Sequence, residues 1–219
     1  NAPDGSGTYP LQAAVFSMRS YRYYTNDEIV RDLLDRGAAP SLMPKNVQGE
    51  ILSVLLTNGK YEPSLVVALL DHGLDPNAYR AARSPWFRIN AHGTNRYDAD
   101  GYQQIADALI RNGIDLNATN DQGTSALHNA VSSAGHFKHD RSRVVAMSLI
   151  DAGADLAAQD RLDRTPLHVA IGANDLELVQ ALVDAGAPLD VPDNRGYTPA
   201  QLIQATKSLR DSVVLPNAE

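Results

Sequence analysis

Apolar positions recur along this chain at helical spacing, in short stretches that each stop at a glycine. Leu176, Leu178, Val179, Leu182 and Val183 form the clearest set, on one face of a helix that stops before Gly186. The same phrase returns throughout: an amphipathic stretch, a glycine, then a small or apolar residue. Its copies are Asp32-Leu33-Leu34-Asp35-Arg36-Gly37-Ala38, Ala68-Leu69-Leu70-Asp71-His72-Gly73-Leu74-Asp75, and Ala108-Leu109-Ile110-Arg111-Asn112-Gly113-Ile114-Asp115. Two more are Ser148-Leu149-Ile150-Asp151-Ala152-Gly153-Ala154-Asp155 and Ala181-Leu182-Val183-Asp184-Ala185-Gly186-Ala187. Successive glycines lie 36, 40, 40 and 33 residues apart. Glycine at this place supplies the left-handed residue that ends a helix.

A second phrase follows at a fixed distance. Thr165-Pro166-Leu167-His168-Val169-Ala170 begins 12 residues after Gly153, and Thr198-Pro199-Ala200-Gln201 begins 12 after Gly186. Ser125-Ala126-Leu127-His128-Asn129-Ala130 keeps the same offset from Gly113. Weaker copies are Tyr9-Pro10-Leu11-Gln12-Ala13-Ala14 and Ser84-Pro85-Trp86-Phe87-Arg88-Ile89, and residues Gly49 to Leu56 fill the matching slot with almost no consensus. The phrase predicts a helix start: Thr165 caps, and Pro166 fits a first turn whose N–H has no partner anyway.

These residues resemble the ankyrin-repeat family, whose unit of about 33 residues is a β-turn and two helices with a T-P-L-H-x-A signature. The resemblance covers roughly Thr8 to Ala205 and is strongest over residues 120 to 200. It implies an all-α solenoid of helix-turn-helix units with turn or hairpin fingers, because one helix pair cannot bury its own face and stacked pairs can. The expected organisation is a disordered segment 1–7, one repeat domain 8–212, and a loose tail 213–219. Six repeats divide that domain at 8–41, 42–77, 78–117, 118–157, 158–190 and 191–212, the last being a short polar cap. The resemblance further implies that His128 and His168 make structural hydrogen bonds. Thr165, Pro166, Leu167, Gly113, Gly153 and Gly186 are then repeat-motif residues, and the chain's task is to bind another protein.

Three units are overlong, and the excess is placed between the two helices of a unit. It comprises Ser17 to Thr25, part of Ala91 to Gly101, and Ser132 to Arg143, each with aromatic and basic residues in an acidic chain. Insertions in repeat proteins map to one face, often a binding face, and Tyr, Trp and Arg are enriched at interface hot spots. The partner-binding candidates are therefore Arg19, Tyr21, Arg22, Tyr23, Tyr24, Tyr79, Trp86, Phe87, Tyr97, His136 and Phe137. The finger turns, Asn77 to Arg83, Asn120 to Gln122, Asp160 to Arg164 and Asp193 to Arg195, are a second candidate surface. The bland alternative for each is a padded helix or a solvated turn.

Charge and composition narrow the function. A net charge of −7 argues against nucleic acid or an anionic membrane as the main partner. With no cysteine there is neither disulfide nor thiolate chemistry. No apolar run reaches the length that spans a bilayer. His136-x-x-His139-Asp140 has metal-like spacing without a third ligand, and Asp98-x-Asp100-Gly101 echoes a calcium loop without its later glutamate. No phosphate loop, nucleophile elbow or zinc-protease motif is present. The expectation is a non-catalytic protein without cofactor. Similarity to small exported bacterial ankyrin proteins, together with the missing initiator methionine and cysteine, points to a periplasmic or secreted immunity factor. Its partner would be a basic enzyme, such as a cell-wall hydrolase or toxin. The alternatives are an intracellular adaptor or host-directed effector, and a metal-binding or catalytic protein built on the inserts.

Overall fold

The computed structural model describes residues 2–17, 27–58, 61–79, 84–89, 98–137 and 140–216, with the side chains at 58, 135–137 and 140–141 outside that description. The chain forms two compact units, Asn1–Asp115 and Leu116–Glu219. Regular structure among the described residues is helical, with a single isolated bridge between Thr119 and Ser125. This is the all-α architecture that the repeats imply.

In the first unit the helices are α1 (Pro10–Ser17), α2 (Asp27–Asp35), α3 (Lys45–Asn58), α4 (Pro63–Asp71), α5 (Pro85–Ile89) and α6 (Ala99–Arg111). Helix α3 packs between α1 and α5, and α4 packs between α2 and α6, so alternate helices form two layers. Ile51, Leu52, Leu55 and Leu56 of α3 and Leu65, Val66, Leu69 and Leu70 of α4 are buried, the apolar stripe of each helix turned inward. The second unit repeats the scheme with α7 (Ala126–Phe137), α8 (Asp140–Asp151), α9 (Pro166–Ala173), α10 (Leu176–Asp184), α11 (Pro199–Ala205) and α12 (Lys207–Arg210). Helix α9 packs between α7 and α11, and α8 packs on α10.

The glycine stops are built alike. Gly37, Gly73, Gly113, Gly153 and Gly186 have φ between 77° and 91°. In each case the next residue's N–H donates back into the helix, as Ala154 to Leu149 and Ala187 to Leu182. The finger turns share a second device. Asp160 Oδ1 accepts from the N–H groups of Leu162 and Arg164, and Asp193 Oδ1 accepts from those of Arg195 and Tyr197. Asn120 does the same for Gln122 and Thr124. Residues 2–7, read from composition as disordered, include this turn again: Asp4 Oδ1 accepts from Ser6 and Thr8. The first helix α1 follows directly from it.

Polar side chains from one repeat tie down the main chain of the next. His168 Nδ1 accepts from the Thr165 N–H at 3.1 Å, so Nε2 carries the proton and donates to Tyr197 O at 3.0 Å. His128 Nε2 donates to Arg164 O at 2.8 Å while Nδ1 faces Ser125 Oγ at 2.7 Å. In the first unit Gln48 plays this part, donating to Met43 O and accepting from the Asp75 N–H. Asn77 holds both Gly113 O and the Asp115 N–H. Gly49, beside Gln48, lies so close to the next finger that an added Cβ would sit 1.9 Å from Ala78 O.

Two tests follow from this packing. Gly49→Ala should destabilise the chain by about 1–3 kcal/mol through overpacking against the main chain, read as a lower urea midpoint. Gly172→Ala within α9, where no atom lies within 4 Å of the added carbon, should hold or gain about 0.5–1 kcal/mol. The second test is pH. Burial pushes the His128 imidazole below the ordinary histidine range, so the folded state stays neutral where the unfolded chain takes up a proton. Stability from this group is therefore present above about pH 6.5 and is lost as pH falls below it. The urea midpoint should drop between pH 7.5 and pH 5.5, and His128→Gln should flatten that drop.

Candidate partner-binding surface

The first unit carries an open groove of about 940 Å³ along the solvent face of α3. Phe16 at the end of α1 and Arg88 of α5 bound it on either side, and the turn from Asp75 to Tyr79 closes one end. Lys45, Asn46 and Glu50 project from α3 into this space. The floor is held by the contacts just described: Gln48 fixes Asp75, and Gly49 lets the Ala78 carbonyl approach the helix. Lys45 pairs with Asp75 across the groove. Arg88, half-buried, makes no ion pair among the described residues. Phe16 and Tyr79 are likewise half-buried, and burial raises the Tyr79 phenol above its ordinary range, so it is a neutral hydrogen-bonding group at physiological pH. Aromatic rings beside a guanidinium are suited to hold a protein segment at small entropic cost.

The sequence candidates fall into four groups. Tyr79 lines the groove and Phe87 is half-buried on α5. Trp86 is completely enclosed, at 0% exposure, and its indole N–H donates to Asp115 O at 3.1 Å. Its ring fills the leucine slot of the repeat phrase, so size and aromaticity alone are no mark of a surface residue. Arg19, Tyr21, Arg22, Tyr23, Tyr24 and Tyr97 lie outside the described residues. His136 and Phe137 are the last two residues of α7, with side chains outside the description. Phe16, Lys45 and Arg88 were not singled out by the sequence; Arg88 occupies the variable x of the T-P-L-H-x-A phrase, a signal that was available.

The third overlong stretch is not a loop. Its described backbone, residues 132–137 and 140–143, is helical, and α7 and α8 run for 12 residues each. The calcium-like Asp98 caps α6, its Oδ1 accepting from the Gly101 N–H at 2.9 Å. Among the described residues no three His, Asp or Glu side chains are placed to hold a metal ion. No described helix is long and apolar enough to cross a membrane.

Comparison with known proteins agrees with this geometry. Family models of ankyrin repeats (many copies) match residues 149–203 and 96–139. The chain is 36% identical over 112 residues to the Neurogenic locus Notch protein of Drosophila melanogaster, a match covering 51% of this chain and 4% of that protein. It is 34% identical over 122 residues to the human ankyrin repeat and SOCS box protein 16, covering 55% of this chain and 26% of that one. The shared part is thus a small fraction of either relative's length. Helix pairs, glycine stops, buried histidines and these matches lead to one assignment: the chain belongs to the ankyrin-repeat family.

Proposed function

We propose that this chain is a non-catalytic binding module whose first-unit groove seats a segment of another protein, and that it serves as an exported bacterial factor that neutralises a partner enzyme. The observation that carries the binding reading is the groove itself: Phe16, Tyr79 and Arg88 stand half-buried around a floor fixed by main-chain contacts. Ankyrin repeats are protein-interaction scaffolds, and their rigidity keeps the ordering cost of binding low. By the six-unit division expected from the sequence, the groove residues come from the first three repeats. The inhibitor role is supported by the acidic charge, which suits electrostatic capture of a basic enzyme, and by the lack of cysteine, which suits an oxidising compartment. Tyr21, Tyr23, Tyr24 and Tyr97 lie within nine residues of Phe16 or Arg88 in the sequence and outside the described residues, and they remain candidates for partner contact.

A second reading keeps the module and changes its place: an intracellular adaptor or effector. The matches to animal proteins through their repeats alone favour it. The codons upstream of residue 1 discriminate the two, a cleavable leader supporting export.

The binding reading has a direct test. The full chain should recover a specific partner from the periplasmic fraction of the native cell, identified by mass spectrometry. Phe16→Ala with Tyr79→Ala should weaken that complex by at least about tenfold while leaving the urea midpoint near that of the wild type. Equal binding by the double variant would remove the groove from the interface. A partner with no enzymatic activity, or an enzyme left fully active in the complex, would remove the inhibitor role.

A further inference from the structure

The two lengthened helices of the second unit create a feature that a regular repeat lacks. Counted from their equivalent caps, Ser125 and Thr165, α7 runs to Phe137 whereas α9 stops at Ala173, 12 residues against 8. Counted back from Gly153 and Gly186, α8 begins 13 residues earlier and α10 only 10. At 1.5 Å per residue the α7–α8 pair overhangs its neighbour by about 5–6 Å. A cavity of about 850 Å³ lies against this step.

Its surface is apolar and acidic together. Met147, Leu176 and Ala181 give the apolar part, and Leu176 is 42% exposed although it opens a helix. Arg143 from the overhanging helix is shared between Asp175 and Glu177, at 2.9 Å each. One guanidinium is thereby committed to two carboxylates. Asp184, held by Gln180, adds a third acid. The step therefore carries two more negative than positive charges among its lining groups. The surrounding chain has the same sign: residues 116–219 hold thirteen carboxylates against eight basic side chains, while residues 1–115 hold thirteen against eleven.

We propose that this step is a second docking site, for a partner-protein segment that places a Lys or Arg beside an apolar side chain. The apolar group would cover Leu176 and Met147, and the cation would meet Glu177 and Asp184. Charge complementarity selects this occupant over an acidic or neutral peptide, and over a second copy of the acidic second unit. The proposal rests on the protein-binding reading but not on the groove of the first unit, so the two separate experimentally.

The test uses the full chain, immobilised, and a phage-displayed library of random dodecapeptides. Selected peptides should be enriched in Lys or Arg next to Leu, Met or Phe, and their affinity should fall as salt rises. Leu176→Arg and Asp184→Lys, each with a near-wild-type urea midpoint, should weaken the selected peptides by about tenfold or more. Leu176→Gln, which adds no charge, supplies a second check of the apolar contact should the arginine variant fail to fold. Phe16→Ala with Tyr79→Ala should leave the same peptides bound. Peptides without basic residues, basic peptides that survive the step variants, or no selected peptide at all would each overturn the site. Peptides lost on the groove variant alone would overturn the step while leaving the groove reading in place.

Discussion

Finger turns expose main-chain groups that no helix can satisfy, and a neighbouring polar side chain satisfies them, buried for His128, His168 and Gln48 and exposed for Asn77. His128 reaches Arg164 O, His168 reaches Tyr197 O, Gln48 reaches the Asp75 N–H, and Asn77 takes both Gly113 O and the Asp115 N–H. Trp86 does likewise with its indole N–H on Asp115 O. Burial makes these bonds matter, because an orphaned buried donor or acceptor costs about 1–3 kcal/mol. Apolar packing would let one helix pair slide along the next. The polar ties fix the register at the finger end.

Fixing one end leaves the other free. Helix length beyond the caps is not constrained by the finger contacts, so added residues there disturb no tie. In the second unit the extra residues extend α7 and α8 as helix. In the first, α3 runs for 14 residues. Uneven helices leave ledges and grooves, and the second-unit cavity lies beside such a mismatch. Variation in length is thus how a rigid scaffold acquires surfaces of its own.

Much of the fold was legible because its signals are local. Glycine after an apolar stretch reports a positive φ, and Thr-Pro reports a helix start, without knowledge of the neighbours. What was illegible depends on neighbours. Gln48 takes the Asp75 N–H as Asn77 takes that of Asp115, and no local motif marks either, because any acceptor side chain of that reach will serve. Gly49 is required by the carbonyl of a residue 29 positions away. Asp4 forms an ordinary finger turn inside a stretch whose Gly and Ser content reads as disorder. Trp86 looked like a hot spot because residue type is visible in a sequence and enclosure is not. The groove shows the same limit: Tyr79 was named, whereas Phe16 and Arg88 join it only once α1 and α5 flank α3.

The charge of the chain also divides between two ranges of action. Net charge acts at a distance, but at physiological salt it fades beyond about 8 Å. It governs the encounter rate and says little about what a given cleft will hold. At contact, single groups decide. Residues 76–97 contain four arginines and no carboxylate, and Arg88 brings one of them into the groove. The step in the second unit has a net negative lining, with one arginine spread over two carboxylates. A partner drawn by the overall negative field would therefore meet a cation in one cleft and anions in the other. The groove lining balances Lys45 and Arg88 against Glu50 and Asp75, whereas the step lining is net negative and rejects a uniformly acidic surface. That is selectivity a net charge of −7 cannot supply by itself.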